Sequence, residues 1–233
     1  MLAAALIKSA TGFGGSLIAS PLLIILYGKE ESVPALIALW LPIGLYLSIK
    51  SHHDANWRRV LLLLGGGVCG LPIGMLILTT ASRETVLLIT GMSSILTAIA
   101  LWCGFSLPVR SQTGGCLATG LVSGTLYTTT GESGPPIVLF GVNQDWNPQE
   151  LRANLILYFT MASIAALVVL GAGQHLTSNS MLLGLKLVPG AIVGMLVGAR
   201  LAPHLKATRY KRIALTLITS SGILAIWHGI LVK

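Results

Sequence analysis

The chain has 233 residues, 54% of them hydrophobic and 9% charged, with a mean hydropathy of +0.83 and a formal charge of +8. A water-covered domain carries about a quarter charged residues, so these proportions exclude a soluble globular protein. The positive charge would suit nucleic acid in a soluble chain, but here the basic residues sit mostly in short loops between apolar runs, as the positive-inside rule expects, and no nucleic-acid partner is expected.

The chain opens on "MLAAALIKSA", which lacks a basic stretch ahead of its apolar residues and reads as part of the mature protein. "SATGFGGSLIASPLL" follows (Ser9–Leu23), a polar, glycine-rich interruption of an otherwise apolar region. Apolar runs then cover Val33–Ile49, Val60–Thr79 and Glu84–Cys103. After "GFSLPVRSQ" (Gly104–Gln112) comes a second interruption, "TGESGPPIVLF" (Thr130–Phe140), and then the runs Leu151–Gly171, Met181–Leu201 and Ile213–Leu231. Runs near the roughly 20 residues of a bilayer crossing predict an all-α polytopic membrane protein, and their uniform apolarity excludes a β-barrel. Cys69, Cys103 and Cys116 have no CxxC spacing, and His52, His53, His175, His204 and His228 suit no metal site, so neither a metal nor a cofactor is expected.

The sequence repeats itself. "GLPIGMLILTT" (Gly70–Thr80) returns as "GAIVGMLVGAR" (Gly190–Arg200), with Gly70, Gly74, Met75 and Leu76 matched 120 positions later. "TGFGGSLIASP" (Thr11–Pro21) aligns with "TGESGPPIVLF" at an offset of 119. We read a first repeat over 1–103, a linker over 104–112 and a second repeat over 113–233, each made of a broken or re-entrant helical segment plus three transmembrane helices. Apolar segments broken by Gly and Pro at corresponding places are a pointer to a transporter binding site.

Loop charge discriminates two threadings. With broken spanning helices, Lys50, Arg58, Arg59, Arg110 and Lys233 fall on one side, against Lys29, Arg83, Arg152, Arg200, Lys206, Arg209, Lys211 and Arg212, five against eight. With re-entrant hairpins the split is ten against three, because only Lys29, Arg83 and Lys233 oppose the rest. The second count fits positive-inside better, and it gives each repeat an odd number of crossings, so the repeats are expected to be inverted.

Irregular backbone survives in hydrocarbon only where protein or a water-filled cavity satisfies it. Half-helices starting near Ser16 and Pro135 would aim free N–H groups and positive dipole ends at the membrane centre. The expected anion site comprises Thr11, Gly12, Phe13, Gly14, Gly15 and Ser16 from the first segment and Thr129, Thr130, Gly131, Glu132, Ser133 and Gly134 from the second. Lys8 adds charge in one reading and snorkels to an interface in the other. Arg152 is either an oxyanion ligand or an interfacial anchor, with Asn154 close by; Lys186 is a weaker candidate. Glu132 is the candidate proton carrier, or a partner of Lys8 or Arg152. Small-residue packing is the competing reading of the glycines, more so at Gly65–Gly67 and Gly70 than at the two interruptions.

"GFGGSLIASPLL", its copy "GESGPPIVLFG", the following "ELRANLILYF" and the repeat of about 120 residues resemble the sulfite exporter TauE/SafE family of membrane permeases over essentially the whole chain. The resemblance implies export of sulfite or organosulfonates across the cytoplasmic membrane of a prokaryote. The second copy departs from the first by placing Glu132 and Ser133 where the first has Phe13 and Gly14. The expected function is alternating-access transport of a small anion, not enzyme chemistry. An anion channel of the same architecture is the alternative, and an intramembrane serine protease using "GESG" a remote one. The expected partners are the anion, the lipid bilayer and a second copy of the chain.

Overall fold

The computed structural model describes residues 1, 4–6, 8, 14–103, 111–201 and 207–231. Among the described residues there is no strand, and the helices are α1 (Gly15–Tyr27), α2 (Lys29–Ser51), α3 (Trp57–Thr80), α4 (Arg83–Cys103), α5 (Gln112–Thr130), α6 (Gly134–Asn143), α7 (Pro148–Ala172), α8 (Ser178–Leu201) and α9 (Ala207–Leu231). A single 3₁₀ turn, His52–Asp54, extends α2. Among the described residues four helices are long and apolar enough to cross a bilayer: α2 with its extension, α3, α7 and Ser178–Val197 of α8. By contrast α1 has 13 residues and α6 has 10, and at about 1.5 Å per residue neither reaches across a hydrocarbon core of about 30 Å.

Local sequence sets the helix ends. Asn56, Ser111 and Asn147 accept hydrogen bonds from Arg59 N (3.3 Å), Gly114 N (3.2 Å) and Gln149 N (3.0 Å), capping α3, α5 and α7. Pro148 occupies the first turn of α7, where its missing N–H costs nothing. Gly28 separates α1 from α2 at a φ of 83°.

Without a hydrophobic force between helices in lipid, close backbone approach and interhelical hydrogen bonds hold a bundle together. The α3–α5 pair uses both. Gly66, Gly70 and Gly74 lie against the backbone at Leu117, Leu121 and Thr125, while Gly120 and Gly124 lie against Leu63 and Gly67. A Cβ at any of these five would overlap facing backbone atoms. Thr128 Oγ1 donates to Leu71 O (2.7 Å) and Thr129 Oγ1 to Gly74 O (3.1 Å), lacing the crossing. Packing therefore explains Gly66, Gly67 and Gly70, whereas Gly65 faces only the Leu117 side chain at 3.7 Å. The α4–α9 pair makes a second close crossing, with Gly91 and Gly222 against each other's carbonyls. Helix α2 packs on α7 and α8, and α7 on α2 and α3.

One end of the bundle is tied by Arg59. Its Nη1 lies 2.5 Å from Glu150 Oε1, and its guanidinium carbon lies 4.7 Å from the Trp146 ring centroid. Gln112 Oε1 accepts from Arg59 Nε (3.0 Å) and Nη2 (2.7 Å) in the amide orientation that satisfies both partners. Asn154 Oδ1 accepts from Asn56 N at 2.8 Å and its Nδ2 donates to Glu150 Oε1 at 3.4 Å. One fork thus joins the starts of α3, α5 and α7.

Two outcomes test this packing. Gly70→Ala and Gly124→Ala should each cost about 1–3 kcal/mol through overpacking, whereas Gly65→Ala should be close to neutral; thermal loss of the monodisperse peak of detergent-solubilised protein separates them. Arg59→Ala should cost about 1–3 kcal/mol in the same assay, because Glu150 and Gln112 lose a shared donor. Arg59→Lys should recover only part of that loss, since an ammonium cannot form the fork.

Candidate functional site

Helix α5 stops where the chain needs a left-handed residue. Gly131 has a φ of 77°, and its N–H still bonds Tyr127 O at 2.9 Å; a side chain there would strain the backbone. Ser123 Oγ donates to Ser133 O at 2.6 Å, and because Ser123 lies about two turns before the end of α5, the chain has doubled back along that helix. Ser20 of α1 donates to Thr130 O, and Thr130 Oγ1 accepts from Glu132 N at 3.2 Å. Helix α6 then begins at Gly134 with proline in its first turn. In the other half Gly14 has a φ of 87° and α1 begins at Gly15. Space at Gly15 is tight, since a Cβ would stand 2.9 Å from Ala4 O and 3.0 Å from Lys8 Cβ and Trp40 Cζ2.

These two helix starts meet. A cavity of about 20 Å³ is lined by Lys8, Gly14, Ser16 and Leu17 on one side and by Tyr127, Glu132, Ser133 and Gly134 on the other, with Phe159 of α7 completing the wall. A water needs about 10–15 Å³ by the same measure, so an anion of several heavy atoms requires the walls to part. Lys8 is buried, its Nζ 4.2 Å from the Trp40 ring centroid and 5.8 Å from that of Phe159, a cation held over aromatic faces. Glu132 is fully buried; its Oε2 lies 2.8 Å from Ser93 Oγ of α4, and its Oε1 has no hydrogen-bond partner. Lys8 and Glu132 share this cavity without an ion pair of 4.0 Å or less between them.

The structure therefore brings together Lys8, Gly14, Ser16, Glu132, Ser133 and Gly134. Gly15, Thr130 and Gly131 shape the turns beside them. Thr129 instead turns its hydroxyl to α3 and to Thr125 O (2.7 Å). Asn154 is spent on the bundle-end knot with Asn56 and Glu150, and Arg152 stands exposed at the start of α7. Thr11, Gly12 and Phe13 lie outside the described residues. Sequence reading missed Ser93, Tyr127, Trp40 and Phe159. The Ser93–Ser94 pair in the middle of an apolar run was a signal that could have been found; the aromatic residues look like any lipid-facing or core residue until the fold aims them.

The family described as "Sulfite exporter TauE/SafE" matches residues 1–225 of this chain. A probable sulfite/organosulfonate exporter, TauE, of Cupriavidus necator is 27% identical over 180 residues, covering 74% of this chain and 69% of that protein. A probable inner membrane transporter protein, TsaS, of Comamonas testosteroni is 24% identical over 227 residues, covering 92% of this chain and 88% of that protein. No solved structure matches. This chain, without a strand among its described residues, with apolar helices long enough to span a bilayer, and matched along nearly its whole length by a family of exporters and not of enzymes, belongs to the TauE/SafE sulfite exporter family.

Proposed function

We propose that this protein moves a small anion, sulfite or an organosulfonate, by alternating access, with the anion held between the two glycine-rich segments. The observation that carries the reading is a cavity lined from both segments, with Lys8, Gly14 and Ser16 opposite Glu132, Ser133 and Gly134. The starts of α1 and α6 turn positive dipole ends toward the cavity, with Pro135 and Pro136 leaving α6 fewer backbone donors than α1, and Lys8 adds a full charge when protonated. The names of the two relatives, a sulfite/organosulfonate exporter and an inner membrane transporter, support both the substrate class and a place in the cytoplasmic membrane of a prokaryote.

The transport reading includes two inverted repeats, 1–103 and 113–233, each entering the membrane with a hairpin at its glycine-rich segment. Several observations support it. A short helix followed by three long ones occurs twice, as α1–α4 and α6–α9. The starts at Gly15 and Gly134, and at Lys29 and Pro148, are each 119 residues apart. Packing partners exchange in the same sense: α1 packs on α9 while α6 packs on α4, and α2 packs on α8 while α7 packs on α3. Both short helices would reach only partway through the bilayer, and the chain reverses between Thr130 and Ser133. By the repeat, Thr11, Gly12 and Phe13 belong to the first half of the site.

Reconstituted into liposomes and loaded with unlabelled sulfite or methanesulfonate, the protein should take up the labelled anion by counterflow and saturate. Flux that neither saturates nor shows counterflow would establish a channel instead. Lys8→Gln should raise the half-saturating concentration about 10- to 150-fold, the loss expected when a hydrogen bond to a charged group worth about 1.5–3 kcal/mol is removed. An unchanged half-saturation would remove Lys8 from the site.

A further inference from the structure

The hydroxyl of Ser93 has two acceptor neighbours, Thr90 O at 2.9 Å and Glu132 Oε2 at 2.8 Å. A serine hydroxyl carries one hydrogen. Both short contacts become full two-centre hydrogen bonds when Glu132 holds a proton on Oε2 and donates it to Ser93 Oγ, leaving Ser93 to donate to Thr90 O, whereas beside a carboxylate Ser93 would share its one hydrogen between the two acceptors. The other carboxyl oxygen, Oε1, is buried without a geometrically formed hydrogen bond, the nearby Ser94 hydroxyl being unpaired as well, an arrangement less costly for a neutral carboxyl than for a carboxylate. No ion pair with Lys8 compensates a charge there. The groups facing Glu132 are Lys8 from the N-terminal segment, Ser16 from α1, Ser93 and Ser94 from α4, Tyr127 from α5 and Phe159 from α7. Of these only Lys8 and Tyr127 titrate, and the Tyr127 hydroxyl is engaged with Ser163 Oγ at 2.6 Å.

We propose that Glu132 is the proton carrier of this site and that one proton travels with each singly charged anion. The proposal rests on the anion-transport reading above and adds its coupling. With Glu132 protonated and Lys8 charged, the cavity holds one net positive charge, which a monoanion neutralises. On release, the O–H bond of Glu132 breaks and the proton passes to water on the open side. The carboxylate left behind balances the Lys8 ammonium, so the site turns net negative with the anion still present and expels it. The emptied site, its two charges cancelling, returns across the membrane and picks up a proton from water on the far side. Anion and proton therefore move in the same direction, and the cycle transfers no net charge.

The test uses the full chain in liposomes with labelled methanesulfonate, a strong-acid anion that stays singly charged, and with equal potassium and valinomycin on both sides to hold the voltage at zero. An outside more acidic by about one pH unit, with the anion equal on both sides at the start, should drive an inside-to-outside ratio of about tenfold. In Glu132→Gln the steady-state ratio should fall to about one, and Glu132→Asp, which keeps the proton site, should restore it. Counterflow of methanesulfonate without accumulation in the pH gradient would overturn the coupling and leave the transport reading standing. Absence of counterflow for both methanesulfonate and sulfite would overturn the transport reading itself. A tenfold ratio persisting in Glu132→Gln would remove Glu132 from the role. If Glu132→Gln does not yield folded protein, the wild-type ratio and that of Glu132→Asp still decide the coupling.

Discussion

Where α5 ends at Thr130, backbone carbonyls that would continue a helix have to find donors away from bulk water. The protein supplies them from side-chain hydroxyls: Ser20 of the neighbouring α1 bonds Thr130 O, and Ser123, earlier on α5 itself, bonds Ser133 O. A turn buried away from water exists only on this condition, and the rest of the site depends on it. Because Ser20 belongs to the first half of the chain and Thr130 to the second, the bond that permits the turn also holds the two glycine-rich segments side by side. The helix starts, Lys8 and Glu132 then face one small cavity as a consequence.

The surrounding bundle is built to keep that turn in place. The α3–α5 crossing brings two backbones together through five glycines and laces them with threonine hydroxyls, so the helix that presents Tyr127 and Thr130 has little freedom to slide. At its other end the Arg59 fork ties the starts of α3, α5 and α7. Glycine thus works in two ways in this protein. In α3 and α5 it removes side chains so that helices approach, and at Gly14 and Gly131 it permits a left-handed backbone. The two uses look alike in a string of letters.

The two halves of the site are chemically unequal. On one side the Lys8 amine lies over Trp40 and Phe159; on the other a carboxyl lies among serines. A cavity that holds both, without an ion pair between them, has a net charge set by one proton. That makes the departure of the second glycine-rich segment from the first, Glu132 in place of Phe13, the chemical centre of the proposed cycle.

Composition and the lengths of the apolar runs were sufficient for the helical membrane class, because so few charged residues cannot cover a water-facing surface. Gly, Ser and Pro interrupting apolar runs were sufficient to locate the starts of α1 and α6, because those residues break or begin helices whatever surrounds them. The family resemblance was legible in the doubled motif. Tertiary structure alone decided which of the polar residues share a cavity. Thr129, Arg152 and Asn154 stood among the candidates beside Glu132 and Ser133, but the direction of a side chain depends on helix rotation and on which neighbour can satisfy it. Thr129 turns to α3, Asn154 to the cap of α3, and Arg152 outward. Ser93 and Phe159, distant in sequence from both interruptions, bond the carboxyl and line the cavity because two other helices pack there. No local pattern encodes such a meeting, since it is produced by the packing of whole helices.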